Sequence, residues 1–225
     1  MAPMPSRKVV VRGRAGRLVY NSARRGLRGV ARVYLRVEVV GQERVPKSGA
    51  FIVAPVHRSA IDSPLTGLVL ERPTRFMAKS SAFVNGPISA FLTWAGAFPV
   101  DRDGTDFAAI HTLESLIEGG EPVVVFPEGT RKAGDRVTDL RDGPAFIAAR
   151  QRIPIVPVGI GGTDKAMPKG SKFLLPRKVV FVIGEPIYPD VELEGRVPRR
   201  VISELTEQVR VELERLYAEA SDRAD

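Results

Sequence analysis

The chain has 225 residues, 44% of them hydrophobic and 27% charged, which fits a folded domain with a substantial core and excludes an intrinsically disordered chain. It contains no cysteine, so a disulfide framework, a thiolate metal site, an iron–sulfur cluster and a cysteine nucleophile are all excluded. The formal charge of +8 is unevenly placed: the first 37 residues carry +10 and the other 188 sum to −2, which argues against a protein that binds polyanions over its whole surface.

Residues 17–36, placed on a helix, bring Val19, Ala23, Leu27, Val30 and Tyr34 to one face and gather Arg17, Arg24, Arg25, Arg28, Arg32 and Arg36 on the other. Such a helix can lie at the acyl boundary of a bilayer with its arginines among anionic headgroups, each contributing about 1 kcal/mol. It can equally pack its stripe on a domain and leave the arginines in water, or hold nucleic-acid phosphates without specificity. Against nucleic acid, only Tyr20 and Tyr34 could stack on bases, and no recognised nucleic-acid motif follows. No uninterrupted apolar run follows the basic N-terminus, so no secretory signal is expected.

Beyond this arm, β-rich runs at 36–40, 50–54, 74–78, 123–126, 155–160 and 178–183 alternate with helical patterns at 64–70, 106–118 and 143–150. Phe107, Ile110, Leu113 and Ile117 give the second of these helices an apolar stripe, and Gly119-Gly120 stops it. The apolar stretch 88–100 is too short to span a bilayer and holds Ser89 and Thr93; it reads as a buried helix or a shallow interfacial element. After Pro198, the residues Val201, Leu205, Val209, Leu213 and Leu216 mark an amphipathic C-terminal helix. Strands alternating with helices imply a single α/β domain over residues 37–225, with a mixed, mostly parallel sheet flanked by helices. Residues 1–36 form a basic amphipathic helical arm ahead of it.

Four short strings carry candidate chemistry. The first, H-R-S-A-I-D, follows the apolar run at 51–54 and ends at Asp62. Ser63-Pro64 then looks like a helix start, with Ser63 or Asp62 as N-cap. His57 thus falls in a strand-to-helix loop, where α/β folds place ligands and catalytic groups. In a turn, Asp62 can fold back to receive one ring N–H and leave the other nitrogen as a base; the bland alternative is a histidine that merely caps a turn. No G-x-S-x-G elbow supplies a serine nucleophile. A zinc site is poorly supported, because His111 is the only other imidazole and reads as structural.

The second string, Val123 to Arg131, is a buried-type strand running into the turn F-P-E-G-T-R. Backbone N–H groups around Gly129, the Thr130 hydroxyl and the Arg131 guanidinium make a possible anion cradle, or else a surface Glu–Arg pair on a β-turn. The third, G-A-F-P-V-D-R, puts Arg102 just past a strand-like segment, with a surface Asp–Arg pair as its alternative. The fourth, Ile155 to Ile160, is a strand interrupted by Pro157, a residue that belongs at an edge or a bulge.

In this order, H-x-x-x-x-D, G-A-F-P-V-D-R, F-P-E-G-T-R and V-P-V resemble the four sequence blocks of the glycerolipid acyltransferase family, above all its lysophosphatidic acid acyltransferase branch. The resemblance covers roughly residues 35–190, and F-P-E-G-T-R is its most specific element. It implies that His57 is the base that deprotonates the acceptor hydroxyl and that Asp62 orients it. It implies further that Arg102, Glu128, Gly129 and Arg131 bind a glycerol phosphate, with Thr130 in the same turn. Lys79, in R-F-M-A-K, resembles a lysine that relatives place near the phosphate, and Pro157 matches a proline on the acyl-donor side. One departure stands out: Val56 occupies the place before the histidine where relatives often carry asparagine.

The activity so implied is acyl transfer from a thioester, acyl-CoA or acyl carrier protein, to the free hydroxyl of lysophosphatidic acid. Neither a metal nor a resident cofactor is expected. The partners would be the thioester donor, the lysophospholipid and an anionic membrane surface, with no nucleic acid. The expected location is the cytoplasmic face of the cell membrane, peripheral or monotopic, without a transmembrane helix. Within enzymes, the alternatives are other acceptors: glycerol 3-phosphate, another lysophospholipid or a glycolipid. Outside them, the alternative is an inactive lipid-binding protein at the membrane.

Overall fold

The β-rich runs pair into one sheet in a computed structural model of the protein, which describes residues 13–83, 86–100, 107–171, 173–191 and 197–225. The strands are β1 (Glu38–Val40), β2 (Ile52–Pro55), β3 (Arg75–Lys79), β4 (Ala97–Val100), β5 (Val123–Val124), β6 (Ile155–Gly161) and β7 (Val180–Ile183). The α-helices are α1 (Gly13–Tyr34), α2 (Asp62–Val69), α3 (Gly86–Trp94), α4 (Phe107–Glu118), α5 (Gly143–Gln151), α6 (Thr163–Ala166) and α7 (Arg199–Ala224). Among the described residues the sheet runs β1-β7-β6-β2-β5-β3-β4. From β6 to β4 the strands are parallel, β7 is antiparallel to β6, and β1 is parallel to β7. The mixed, mostly parallel sheet flanked by helices is therefore as expected. One consequence positions the site: the C-terminal ends of β2, β3, β4, β5 and β6 all lie along one edge.

The central strands are buried because their residues are apolar on both faces; Phe51, Ile52, Val53, Ile155, Phe181 and Ile183 are fully enclosed. The helix at 107–118 buries Leu113 and Ile117, and Gly120 ends it with φ +76°. The stretch 88–100 divides into α3 and the edge strand β4, because Gly96, at φ +98°, turns the chain between them.

Pro157 lies within β6, an interior strand, yet at a bulge. The β6–β7 ladder pairs Val158 with Ile183, whereas the next bridge pairs Ile155 with Ile187, so the β7 side holds one extra residue. Pro157 offers its carbonyl to the Gly184 N–H at this break, where its own missing N–H costs nothing. On the same sheet face, α7 crosses β6 so closely that a Cβ on Gly159 would lie 2.2 Å from the Leu216 carbonyl oxygen. A Cβ on Gly161 would come equally close, 2.2 Å, to that of Ala220. Only glycine admits this approach.

The arm is a helix over its described residues; the side chains of Val19 and Ala23 lie outside those described, and over 24–35 the buried face is not the stripe read from the sequence. Ala31 and Leu35 enter the core, and Arg24 is buried, whereas Leu27, Val30 and Tyr34 are exposed. The reason lies at the end of α2, whose last carbonyls have no partners within the helix. Arg24 donates to the carbonyls of Gly67 at 2.8 Å, Leu70 at 2.5 Å, Glu71 at 3.0 Å and Arg72 at 3.3 Å. Arg28 adds bonds to Leu68, at 2.6 Å, and to Leu70. Two of the ten N-terminal cations thus neutralise the negative end of a helix, not a headgroup. Among the described residues, no helix is long and apolar enough to cross a membrane.

Candidate active site

β2 continues its pairing through Val56, whose N–H donates to the Val158 carbonyl at 3.1 Å and whose side chain is fully buried. At the position where relatives often have asparagine, this chain therefore uses a core residue. The next residue, His57, leaves the sheet at its C-terminal edge. Its Nδ1 lies 3.0 Å from Asp62 Oδ2, and the same oxygen accepts the N–H groups of Arg58 at 2.7 Å and Ser59 at 2.6 Å. Asp62 is fully buried and stands in the first turn of α2; the N-cap position is Ile61, which makes no side-chain cap. The expectation of Asp62 or Ser63 as N-cap is corrected accordingly. The carboxylate is engaged with the loop before the helix, holding that loop closed around the histidine. A carboxylate at this place can only accept, so a proton on Nδ1 would complete the bond and leave Nε2 with its lone pair.

A second carboxylate fixes the main chain of the histidine. Glu128 Oε2 accepts the His57 N–H at 2.7 Å, and Arg58 Nη1 reaches both Glu128 oxygens at 2.7 and 2.8 Å. The His57 carbonyl accepts the Lys132 N–H at 2.9 Å, so the turn after β5 is laced to the histidine loop at both ends. Arg58 also donates to the Arg136 carbonyl at 2.9 Å and lies 4.6 Å from the centroid of the Tyr217 ring on α7. Burial works against the Arg58 charge, but the hydrogen bond and charge of Glu128 outweigh it and hold the guanidinium pKa above its ordinary value. The Phe126 ring covers the imidazole, with 4.1 Å between centroids.

The resemblance implied a phosphate contact for Glu128. In the structure its side chain is wholly enclosed, with both oxygens committed to Arg58 and His57. Thr130 and Arg131 are the exposed members of the turn. Gly129, with φ +70°, leaves the space that Arg141 fills: a Cβ there would come within 2.5 Å of Arg141 Nε. Arg141 N–H also donates to the Pro127 carbonyl at 2.8 Å, which ties the segment at 141 to the turn. Lys79 ends β3 at the same edge of the sheet and is exposed. Arg102 lies outside the described residues, two positions beyond Val100, the last residue of β4. Pro157 is not at this edge: it pairs with Ala54, three residues before His57, on the face covered by α7.

Two residues without a role in the sequence reading thus belong to the site's framework. Arg58 stands within H-R-S-A-I-D, and its signal was only its adjacency to the histidine. Arg141 had no signal of its own. Beside the site, α1, α2 and the segment at Leu174 form an open apolar cavity of about 270 Å³, lined by Leu27, Tyr34, Pro64, Leu65, Leu68 and Trp94 among others. It begins at the first turn of α2, two residues from Asp62.

The chain is similar to known proteins in both sequence and fold. The profile of a family described as Acyltransferase matches residues 36–161. A Bacillus subtilis (strain 168) protein, 1-acyl-sn-glycerol-3-phosphate acyltransferase, is 33% identical over 153 residues, covering 68% of this chain and 74% of its own. The chloroplastic 1-acyl-sn-glycerol-3-phosphate acyltransferase BAT2 of Brassica napus is 30% identical over 159 residues, 69% of this chain but only 46% of its own length. The crystal structure of the 1-acyl-sn-glycerophosphate (LPA) acyltransferase PlsC from Thermotoga maritima aligns with a TM-score of 0.69 at 28% identity, covering 96% of this chain and 84% of that one.

Proposed function

Since the chain belongs to the acyltransferase family, we propose that it moves a fatty acyl group from a thioester to the free hydroxyl of 1-acyl-glycerol 3-phosphate, giving phosphatidic acid. The observation that carries this reading is the His57–Asp62 bond at 3.0 Å, set on the sheet edge next to the exposed Thr130-Arg131 turn.

In this reading the Nε2 lone pair takes the proton of the acceptor hydroxyl as its oxygen attacks the thioester carbonyl carbon. Asp62 holds the imidazole in the required tautomer and stabilises the imidazolium that forms. The tetrahedral adduct then expels the thiolate, which recovers the proton from His57, so atoms and charge balance with no covalent enzyme intermediate. The donor is already activated, and the reading calls for no resident cofactor. Arg131, with Lys79 and Arg102, would hold the phosphate by charge-assisted bonds. Glu128 would act as a positioning residue, through Arg58 and the His57 N–H, not as a phosphate ligand. The apolar cavity beside α2 suits an acyl chain.

The exposed Val30, Val33 and Tyr34 of α1, with Arg25, Arg32 and Arg36 beside them, suit an anionic bilayer surface, where a lysophospholipid acceptor would reside. On these grounds the protein would sit peripherally on an anionic membrane surface, with the cytoplasmic leaflet as the expected one. The test is a panel of labelled acyl-CoA and acyl carrier protein thioesters against lysophosphatidic acid, glycerol 3-phosphate, other lysophospholipids and a glycolipid. Preferred turnover of lysophosphatidic acid is expected; preferred turnover of any other acceptor would overturn the assignment.

A further inference from the structure

The loop between α6 and β7 has no part in the chemistry above, yet it exposes three consecutive apolar side chains. Phe173 is 78% exposed, and Leu174 and Leu175 are exposed beside it. This is not a loosely held segment. The Leu175 N–H donates to the Ala166 carbonyl at 2.8 Å, and Ser171 N–H to the Pro168 carbonyl at 2.9 Å. Ser171 Oγ accepts the Phe173 N–H at 3.1 Å, so the backbone holds the apolar tip outward by its own bonds. A soluble surface does not ordinarily keep such a run in water.

Two further observations say what covers it. The tip is continuous with the exposed side of α1: the Tyr34 hydroxyl donates to the Leu174 carbonyl at 2.8 Å, and Leu174 lines the same cavity as Leu27, Val30 and Tyr34. Val33, on the same helix, is 82% exposed. The charge within the loop that carries the tip is of one sign. From Lys165 to Gly184 the chain has Lys165, Lys169, Lys172, Arg177 and Lys178 and no acidic residue. Lys165 pairs with Asp225, and Lys178 with Glu38, but Lys169 and Arg177 are exposed on either side of the tip. An apolar tip with cations at its base complements one surface in particular, the headgroup and acyl boundary of an anionic bilayer.

We propose that residues 173–175 are a second bilayer-inserting element, which together with α1 forms a two-point dock. This rests on the membrane reading of α1 above. The dock also bears on the site. The segment leading to the tip includes Met167, whose carbonyl accepts the Ser59 hydroxyl at 2.9 Å, two residues from His57. Insertion of the tip therefore fixes the histidine loop at the membrane plane, so that the acceptor enters laterally from the leaflet.

The absence of cysteine makes the test clean: Phe173→Cys in the full chain creates a single thiol for an environment-sensitive fluorophore. The probe is vesicles of phosphatidylcholine mixed with phosphatidylglycerol. The expected result is a blue shift and a several-fold rise in emission, with quenching by lipid-borne nitroxides near the headgroups. The unlabelled double variant Phe173→Asp with Leu175→Asp, folded by circular dichroism, should bind these vesicles about tenfold more weakly or worse. Protein that co-sediments with vesicles while the probe stays in water would overturn the inserting loop and leave α1 standing. Failure to co-sediment at all would overturn both. A blue shift without vesicles that grows with protein concentration would overturn the proposal in favour of a second copy of the chain.

Discussion

His57 is held by two carboxylates with separate tasks: Asp62 addresses the ring, and Glu128 the main chain. The Arg58–Glu128 pair is enclosed on both sides, so removing one partner leaves a buried charge uncompensated, at a cost of about 3–5 kcal/mol. Glu128→Gln should therefore lower the melting temperature. It should also lower kcat more than it raises the KM for lysophosphatidic acid, which steady-state kinetics on the folded fraction would separate. A phosphate ligand would show the reverse pattern. Arg131, exposed in the same turn, is predicted to behave in that reverse way: Arg131→Ala removes bonds of about 1.5–3 kcal/mol to a charged group. The expected result is a rise of about tenfold or more in the KM for the phosphorylated acceptor, with that for the thioester little changed. The His57–Asp62 contact was one of two readings open from residue type and spacing, and the resemblance to the four family blocks singled it out together with the Glu128–Arg131 turn. That Glu128 is enclosed while Arg131 is exposed was not legible there, because burial is what separates them, and both are charged residues in one turn.

α1 shows what periodicity does and does not reveal about an element. The helix was legible from its pattern, but the face it buries was not. Arg24 and Arg28 outcompete the apolar stripe because the carbonyls ending α2 need donors, and a sequence does not display where another helix ends. Arg24→Ala should destabilise the fold by about 1–3 kcal/mol. Arg25→Ala, at an exposed position one residue on, should fall within about 0.5 kcal/mol of the parent, and chemical denaturation distinguishes the two. The parallel sheet was legible because its strands are continuous apolar runs, whereas the edge strand β4 was half hidden behind α3 in one apolar stretch. The crossing of α7 over β6 had no sequence signal beyond two glycines. Gly161→Ala would drive a methyl into the α7 backbone and is expected to cost about 3 kcal/mol or more, measured by the same denaturation.

Over the whole molecule, the described arginines of the basic N-terminal segment fall into two groups. Arg24 and Arg28 hold α1 on the domain, while Arg25, Arg32 and Arg36 remain exposed. Removing the arm outright would take Ala31 and Leu35 out of the core and strip the end of α2 of its donors, so charge substitution tests the membrane role more cleanly than truncation does. With Arg25, Arg32 and Arg36 all changed to glutamine, partition onto anionic vesicles should fall by about two orders of magnitude or more at low ionic strength. Partition of the parent should itself weaken as salt is raised. In the proposed reading, a lysophospholipid would keep its chain among the α1 and α2 residues that line the apolar cavity while its hydroxyl meets the base. The most direct measurement is transfer of a labelled acyl group from a thioester to lysophosphatidic acid by the full chain, parent against His57→Ala, with both shown folded by circular dichroism. The parent should form labelled phosphatidic acid, and the variant should lose about 10²–10⁴-fold in rate. A variant rate within a few-fold of the parent would contradict the assignment of His57 as the base.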